Sequence, residues 1–307
     1  MRLDEMEVGV IGTGIMGKNH VRVYSELKFV TNLYVYDINY QAASEVALQN
    51  GAIPCATMKD LLDKVDVVSV CVPTKYHLET AQQVLEAGVH MLIEKPICTT
   101  VEEAEQVLDL IEDNQIVGVG QIERFNPIVK EIKRICKKPL YVEFNRHNPA
   151  SGRVTGASVV EDLMIHDIDI LRHVLFGEGY TLAAGGTDDI VSALFLFNST
   201  PAYISASRKS SKKVRRIYIE EEDLTIEGDF MNQEIFSYFK PEKYHVDNER
   251  YVQENIIEKV MVNKVEPLKV ELNTFLECSK KRKSFPITPE QATENLRICE
   301  KIKAGFS

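Results

Sequence analysis

The chain reads as an α/β fold on a parallel sheet followed by an α+β fold on an antiparallel one, and three observations predict it. Through the first 120 residues, short apolar runs alternate with helix-period stretches. Those runs are apolar at almost every position, as strands of a parallel sheet buried on both faces must be. Further on, strand patterns succeed one another with only turn residues between them, the signature of an antiparallel sheet.

In order, strands are predicted over 6–11, 33–36, 65–72, 89–93 and 116–119, and helices over 15–27, 41–50, 58–64, 76–87 and 101–113. Thr100 followed by Glu103 is a capping box for the last helix. Strand–helix alternation puts helices on both faces of a parallel sheet, so residues 1–121 are expected to form a Rossmann domain. Residues 122–307 are expected to form the second domain. Its predicted helix over 127–137 follows Arg124-Phe125-Asn126, and a strand over 140–146 comes next. A glycine-containing loop at 151–158 leads into an apolar-rich helix over 162–175. Strands then follow over 190–197, 202–207, 214–220 and 224–228. The last helix has Thr288 as N-cap, Pro289 in its first turn, Gln291 completing a capping box and Gly305 as its stop.

At 307 residues the chain is long enough for two buried cores, and 44% hydrophobic with 27% charged residues is ordinary for a soluble globular protein. The net charge of −10 argues against nucleic acid or an acidic membrane as partner, because the molecule's field repels polyanions. No apolar stretch approaches the length of a membrane span, and Met1-Arg2-Leu3-Asp4-Glu5 is too polar to open a signal peptide. Six scattered cysteines with no C-x-x-C pair fit reduced thiols in a cytoplasmic protein.

Gly12-Thr13-Gly14-Ile15-Met16-Gly17 lies between the first strand and the first helix. Gly12 permits a tight turn, Gly14 lets backbone approach a pyrophosphate, and Gly17 lets helix and strand pack closely. The pyrophosphate would accept N–H groups at the positive end of the helix. Asp37 ends the second strand twenty residues after Gly17, where an acidic residue would bind the ribose hydroxyls and repel a 2′-phosphate. Ile38 and Asn39 offer no arginine to neutralise such a phosphate, so NAD is expected over NADP.

Glu94-Lys95-Pro96 ends the run 89–93, placing a lysine just beyond the carboxyl end of a buried strand, where open α/β sheets take their ligands. Pro96 cannot donate to a ladder and restrains the backbone of Lys95. In the second half, Asp162 and His166 are four apart and share a helix face, which Asp169 and His173 continue. A histidine beside a carboxylate can serve as a general base near neutral pH. The same spacing also suits an incidental surface ion pair, or a metal held by His166, Asp169 and His173. Arg153 and the cluster Arg208, Lys209, Lys212, Lys213, Arg215 and Arg216 are candidate diphosphate ligands, with a solvated basic edge strand as the alternative.

Together the glycine loop, Val72-Pro73-Thr74 with His77, Glu94-Lys95-Pro96 and Asp162-x-x-x-His166 resemble the glucose–fructose oxidoreductase / inositol dehydrogenase family, Gfo/Idh/MocA, in order and spacing along almost the whole chain. The resemblance implies an open, mostly antiparallel second sheet whose outer face makes homodimers or homotetramers. Nothing else in the sequence calls for a metal, and the resemblance implies an NAD-dependent dehydrogenase in which Lys95 contacts the reacting hydroxyl and the nicotinamide side. Asp162 would hold substrate, and His166 would accept the hydroxyl proton as hydride leaves the same carbon. Pro73, Thr74, His77 and Glu94 would line the cofactor cleft beside residues 12–17 and Asp37, with Lys95 at the seam between the two domains. Met164 is a departure, since many members have glycine before the histidine. Gln121-Ile122-Glu123-Arg124-Phe125-Asn126-Pro127 followed by 162–170 looks most like the nucleotide-sugar 3-dehydrogenases of the family. These act on sugars such as UDP-N-acetylglucosamine, with Arg124, Asn126, Arg153 and Arg208 as the implied substrate residues here. A dehydrogenase of a free polyol or inositol-like sugar is the second reading, and a non-catalytic NAD-binding regulator the third.

Overall fold

The computed structural model describes residues 6–149, 157–240, 244–247, 250–253 and 256–305. Its contacts divide the chain into two compact units, Met1–Ile122 with Glu266–Arg297 and Glu123–Val265 with Ile298–Ser307.

The first unit alternates strand and helix: β1 (Met6–Ile11), α1 (Ile15–Ser25), β2 (Val30–Tyr36), α2 (Tyr40–Asn50), β3 (Ile53–Pro54), α3 (Met58–Leu62), β4 (Val67–Val70), α4 (His77–Glu86), β5 (His90–Glu94), α5 (Val101–Asp109) and β6 (Val117–Gly120). All neighbouring strands pair parallel, in the order β3-β2-β1-β4-β5-β6. That is the doubly wound order of a Rossmann sheet, with its switch point between β1 and β4. The unbroken apolar runs have their cause here, because Val8, Val10, Val67, Val68, Val70, Met91 and Ile93 are all fully buried. Ser69, the one polar residue in β4, is satisfied by the Tyr24 hydroxyl at 2.8 Å. The capping box at α5 forms with a shift of one residue: Thr100 Oγ1 accepts the Glu103 N–H, and Glu103 accepts from Thr99. The two-residue β3 is an addition to the predicted strands, and α5 stops four residues before its predicted end.

The second unit contains α6 (Pro127–Ile135), β7 (Tyr141–His147), α7 (Ile165–Ile170), β8 (Tyr180–Thr187), β9 (Ile190–Phe197), β10 (Thr200–Ser207), β11 (Val214–Glu220), β12 (Leu224–Asp229), β13 (Glu234–Phe239), β14 (Tyr244–Asp247), β15 (Arg250–Gln253) and β16 (Ile256–Val260). The main sheet runs β16-β13-β12-β11-β7-β10-β9-β8, and β14 and β15 form a separate hairpin. Every pair in the main sheet is antiparallel except β7 with β10. One face packs Phe144, Phe195, Ile204 and Ile217 against Ile128, Ile132, Ile168 and Leu171 of the helices. Inward and outward residues therefore alternate along β7: Val142, Phe144 and Arg146 are buried, while their neighbours are partly exposed.

The predicted 162–175 helix is α7 extended at both ends by π-helical turns, Val160–Met164 and Leu171–Leu175. Such turns widen the backbone and recur at functional sites. β8 and β13 to β16 are additions to the predicted strands. β8 is an edge strand of small residues, Ala183-Ala184-Gly185-Gly186, too weakly apolar to announce itself. Two helices complete the chain, α8 (Pro267–Lys281) and α9 (Pro289–Ala304). α8 is also an addition, although Leu268, Leu272, Phe275 and Leu276 bury one helical stripe. α9 begins as predicted, with Thr288 Oγ1 accepting the Gln291 N–H.

Candidate active site

In the first unit the sequence-predicted residues collect along the carboxyl edge of one sheet, because β2, β1, β4 and β5 are consecutive neighbours in it. Gly12 follows β1 with φ +94°, and a Cβ there would come within 2.8 Å of the Cys71 main chain. At Gly17 a Cβ would lie 1.9 Å from the Gly12 carbonyl, so only glycine lets α1 close onto the loop. Gly14 differs: nothing lies within 4 Å of its Cβ position. It is the N-cap of α1 and supplies no side-chain cap. The start of α1 thus has an uncapped, positive helix end beside an open glycine, which fits a pyrophosphate. Ile15 beside it is 60% exposed.

Asp37 follows β2. One carboxylate oxygen accepts the Thr13 N–H at 2.7 Å and the Thr13 hydroxyl at 2.8 Å, and the other accepts the Asn39 N–H at 2.9 Å. Thr13, 4% exposed, thereby fixes the carboxylate against the glycine loop. This geometry fits an adenosine ribose and leaves an uncompensated negative charge where NADP would carry its 2′-phosphate. KM for NADP is expected to exceed that for NAD by at least about tenfold, and Asp37→Ala to narrow the gap. Steady-state kinetics with both cofactors checks this, and an NADP preference would overturn the role of Asp37.

After β4, Pro73 is exposed and Thr74 half-buried at the start of a 3-10 turn, Thr74–Tyr76. His77 is 1% exposed. Its Nδ1 lies 3.0 and 3.2 Å from the Pro96 and Ile97 carbonyls, and its Nε2 lies 3.0 Å from the Val72 carbonyl. Burial holds this imidazole below its ordinary pKa. Set among these main-chain carbonyls, the His77 ring bridges the loops that follow β4 and β5, its N–H donating to one of them. Beyond β5, Glu94 is 8% exposed and accepts from His20 Nε2 at 2.9 Å, while Lys95 is half-buried and joined to Pro96 by a cis peptide.

In the second unit, Asp162 lies in the first π-helical turn and His166 in α7, both half-buried. The acidic residues that follow His166 anchor this helix. Asp169 takes Arg124 bidentately at 2.7 and 2.5 Å. Asp167 takes Arg146 at 2.6 to 3.1 Å. Arg146 also reaches Glu123 at 2.7 Å, and Arg215 reaches the same oxygen at 3.0 Å. Burial pushes Glu123 up, but the charge and hydrogen bond of Arg146, followed by the charge of Arg215, outweigh it and hold its carboxyl below the usual value. The metal alternative does not fit, because Arg124 claims both oxygens of Asp169. No group of three His, Cys, Asp or Glu among the described residues could hold a metal.

The substrate residues fare differently. Arg124 is paired with Asp169, its side chain 12% exposed. Asn126 is 3% exposed; it caps α6 and donates to Glu123 and to the Phe230 carbonyl, so it stabilises the turn and has no group left for a ligand. Arg153 lies outside the described residues, as do 150–156 of the glycine-containing loop. Arg208 donates to the Ala157 carbonyl at 2.7 Å, and Lys209 pairs with Asp189 at 2.8 Å. Arg215 and Arg216 are consecutive in β11 and point to opposite faces, so the basic cluster divides rather than converging. Sequence reasoning missed His20, whose only signal is its place three residues after Gly17, and Arg146, which looks like a routine strand residue.

Residues 6–121 match the Gfo/Idh/MocA family, an oxidoreductase family with an NAD-binding Rossmann fold. The chain is 32% identical over 244 residues to the UDP-N-acetylglucosamine 3-dehydrogenase of Acidithiobacillus ferrooxidans, covering 76% of this chain and 77% of that one. The solved structure of that enzyme superposes with a TM-score of 0.88 at 27% identity, over 98% of both chains. An inositol 2-dehydrogenase of Agrobacterium fabrum is 29% identical over 244 residues, covering 75% of this chain and 67% of that one.

Proposed function

The chain belongs to the Gfo/Idh/MocA family of NAD-binding oxidoreductases, and from that premise we propose that it oxidises a ring hydroxyl, at C3, of a nucleotide sugar such as UDP-N-acetylglucosamine. The observation that carries this reading is the likeness to the Acidithiobacillus ferrooxidans enzyme, which extends across both units at 32% identity. NAD supplies the hydride acceptor when bound. The residues of the chain manage the rest. His166 takes the hydroxyl proton on an imidazole nitrogen while the C–H bond of the same carbon gives up its electron pair as hydride, leaving a ketone. Lys95 donates from Nζ to the reacting oxygen and stabilises the charge that develops there. Asp162 accepts from a neighbouring substrate hydroxyl and orients the ring.

A free polyol is the second reading, and the likeness to inositol 2-dehydrogenases favours it. NADH formation separates the two. The nucleotide-sugar reading expects turnover with UDP-N-acetylglucosamine, enhanced if a 2-oxo acid recycles the cofactor, and none with myo-inositol. The reverse result would end it. We propose further that the enzyme works as a homodimer or homotetramer in the cytoplasm. The exposed Ile190, Leu194 and Leu196 on the outward face of β9 support self-association. Among the described residues no helix is long and apolar enough to cross a membrane, and the six cysteines are unpaired, four of them buried.

A further inference from the structure

Lys95 is held from both sides by buried imidazoles. Glu94, immediately before it, ends β5 with its carboxylate in a cradle left by β6: a Cβ at Gly120 would lie 3.1 Å from that carboxylate. One oxygen accepts from His20 Nε2 at 2.9 Å, and the other lies 3.2 Å from the Lys95 main-chain N–H. His20 is 1% exposed and packs edge-on against Tyr24, with ring centroids 6.3 Å apart. Its Nδ1 has no hydrogen-bond partner among the described residues. Because Nε2 faces a carboxylate oxygen, it is Nε2 that carries a proton and donates it to Glu94. On the far side, the buried His77 ring sits between the Pro96 and Ile97 carbonyls and that of Val72.

Two consequences follow from this chemistry. A carboxylate that is 8% exposed is costly without a donor, and removing the His20 N–H would let it shift and take the Lys95 main chain with it. Lys95 is its neighbour in the chain. His20 also rides on α1, the helix that the glycine loop opens, so its hydrogen bond locks the pyrophosphate-facing helix to the end of β5. We infer that His20 is a positioning residue for Lys95: its Nε2–H holds the Glu94 carboxylate in place, and that carboxylate in turn holds the Lys95 main chain at the end of β5. This rests on the reading above in which Lys95 acts in turnover.

The test uses the full-length enzyme with NAD and whichever sugar gives turnover. Gln can place an amide N–H near the position of Nε2, whereas Asn is too short to reach Glu94. His20→Asn is expected to lower kcat about tenfold with both KM values changed less than about twofold, and His20→Gln to stay within about threefold of wild type. Both substitutions are polar and similar in size, so a common loss of folding, read as thermal midpoint, would affect both alike. In a Lys95→Met background, His20→Asn should change the residual rate less than about twofold, because its effect runs through Lys95. Equal kcat for the Asn and Gln variants, or an undiminished effect of His20→Asn in the Lys95→Met background, would overturn the inference. Near-normal turnover by Lys95→Met alone would instead remove its premise.

Discussion

Replacing His166 by alanine is expected to lower kcat by at least about a hundredfold while NAD affinity stays within about threefold. The structure explains why this loss should be chemical rather than structural. Asp167 on Arg146 and Asp169 on Arg124 anchor α7, and neither of these two pairs involves the imidazole. His166 is half-buried, and alanine is the best helix former, so the helix keeps its anchors and its backbone. Single-turnover kinetics with fluorescence-monitored NAD binding separates the two effects. Turnover close to wild type would remove the assignment of His166 as base and leave the fold argument untouched.

Arg146→Ala should have the larger effect on stability, about 3–5 kcal/mol, because it strands the Asp167 carboxylate in the core of the second unit. Arg146 is 1% exposed and lies between Glu123, just after the Rossmann half, and Asp167 on α7. Without it Glu123 keeps Arg215, but the other carboxylate, Asp167, is fully enclosed beside it. A loss of that size corresponds to a fall of roughly 6–20 °C in the melting midpoint of a unit this large. Differential scanning calorimetry reads it directly. The double substitution Arg146→Met, Asp167→Asn should recover much of the loss, since Glu123 then keeps Arg215 and Asp167 no longer carries an unpaired charge. A midpoint unmoved by Arg146→Ala would show that water or a neighbouring cation compensates for the guanidinium.

The Rossmann half was legible because its signals are local. Most strands bury both faces and are apolar along most of their length, the cap of α5 is written in adjacent residues, and Gly17 is dictated by the Gly12 carbonyl five residues before it. The second unit was less legible. β8 and β16 are edge strands whose side chains are largely exposed, so little apolar periodicity marks them. α8, which belongs to the first unit, had a readable stripe, although its Glu266–Pro267 start lacks a side-chain cap. The basic residues around β11 looked like one cluster in the sequence. Strand alternation divides Arg215 from Arg216, and Glu123 and Asp189 claim Arg215 and Lys209.

The sequence by itself determined the fold class, the cofactor loop and its acidic partner Asp37, and the position of Lys95 at a strand exit. These follow from residue type, period and short spacing, which any chain segment carries with it. Only the tertiary structure decided what surrounds those residues. His20 meets Glu94 across 74 residues, Arg215 meets Glu123 across 92, and Arg146 is drawn into the core by carboxylates more than 20 residues away. A buried charge or imidazole has no local signature, because its cost is set by partners that only folding brings within hydrogen-bond reach.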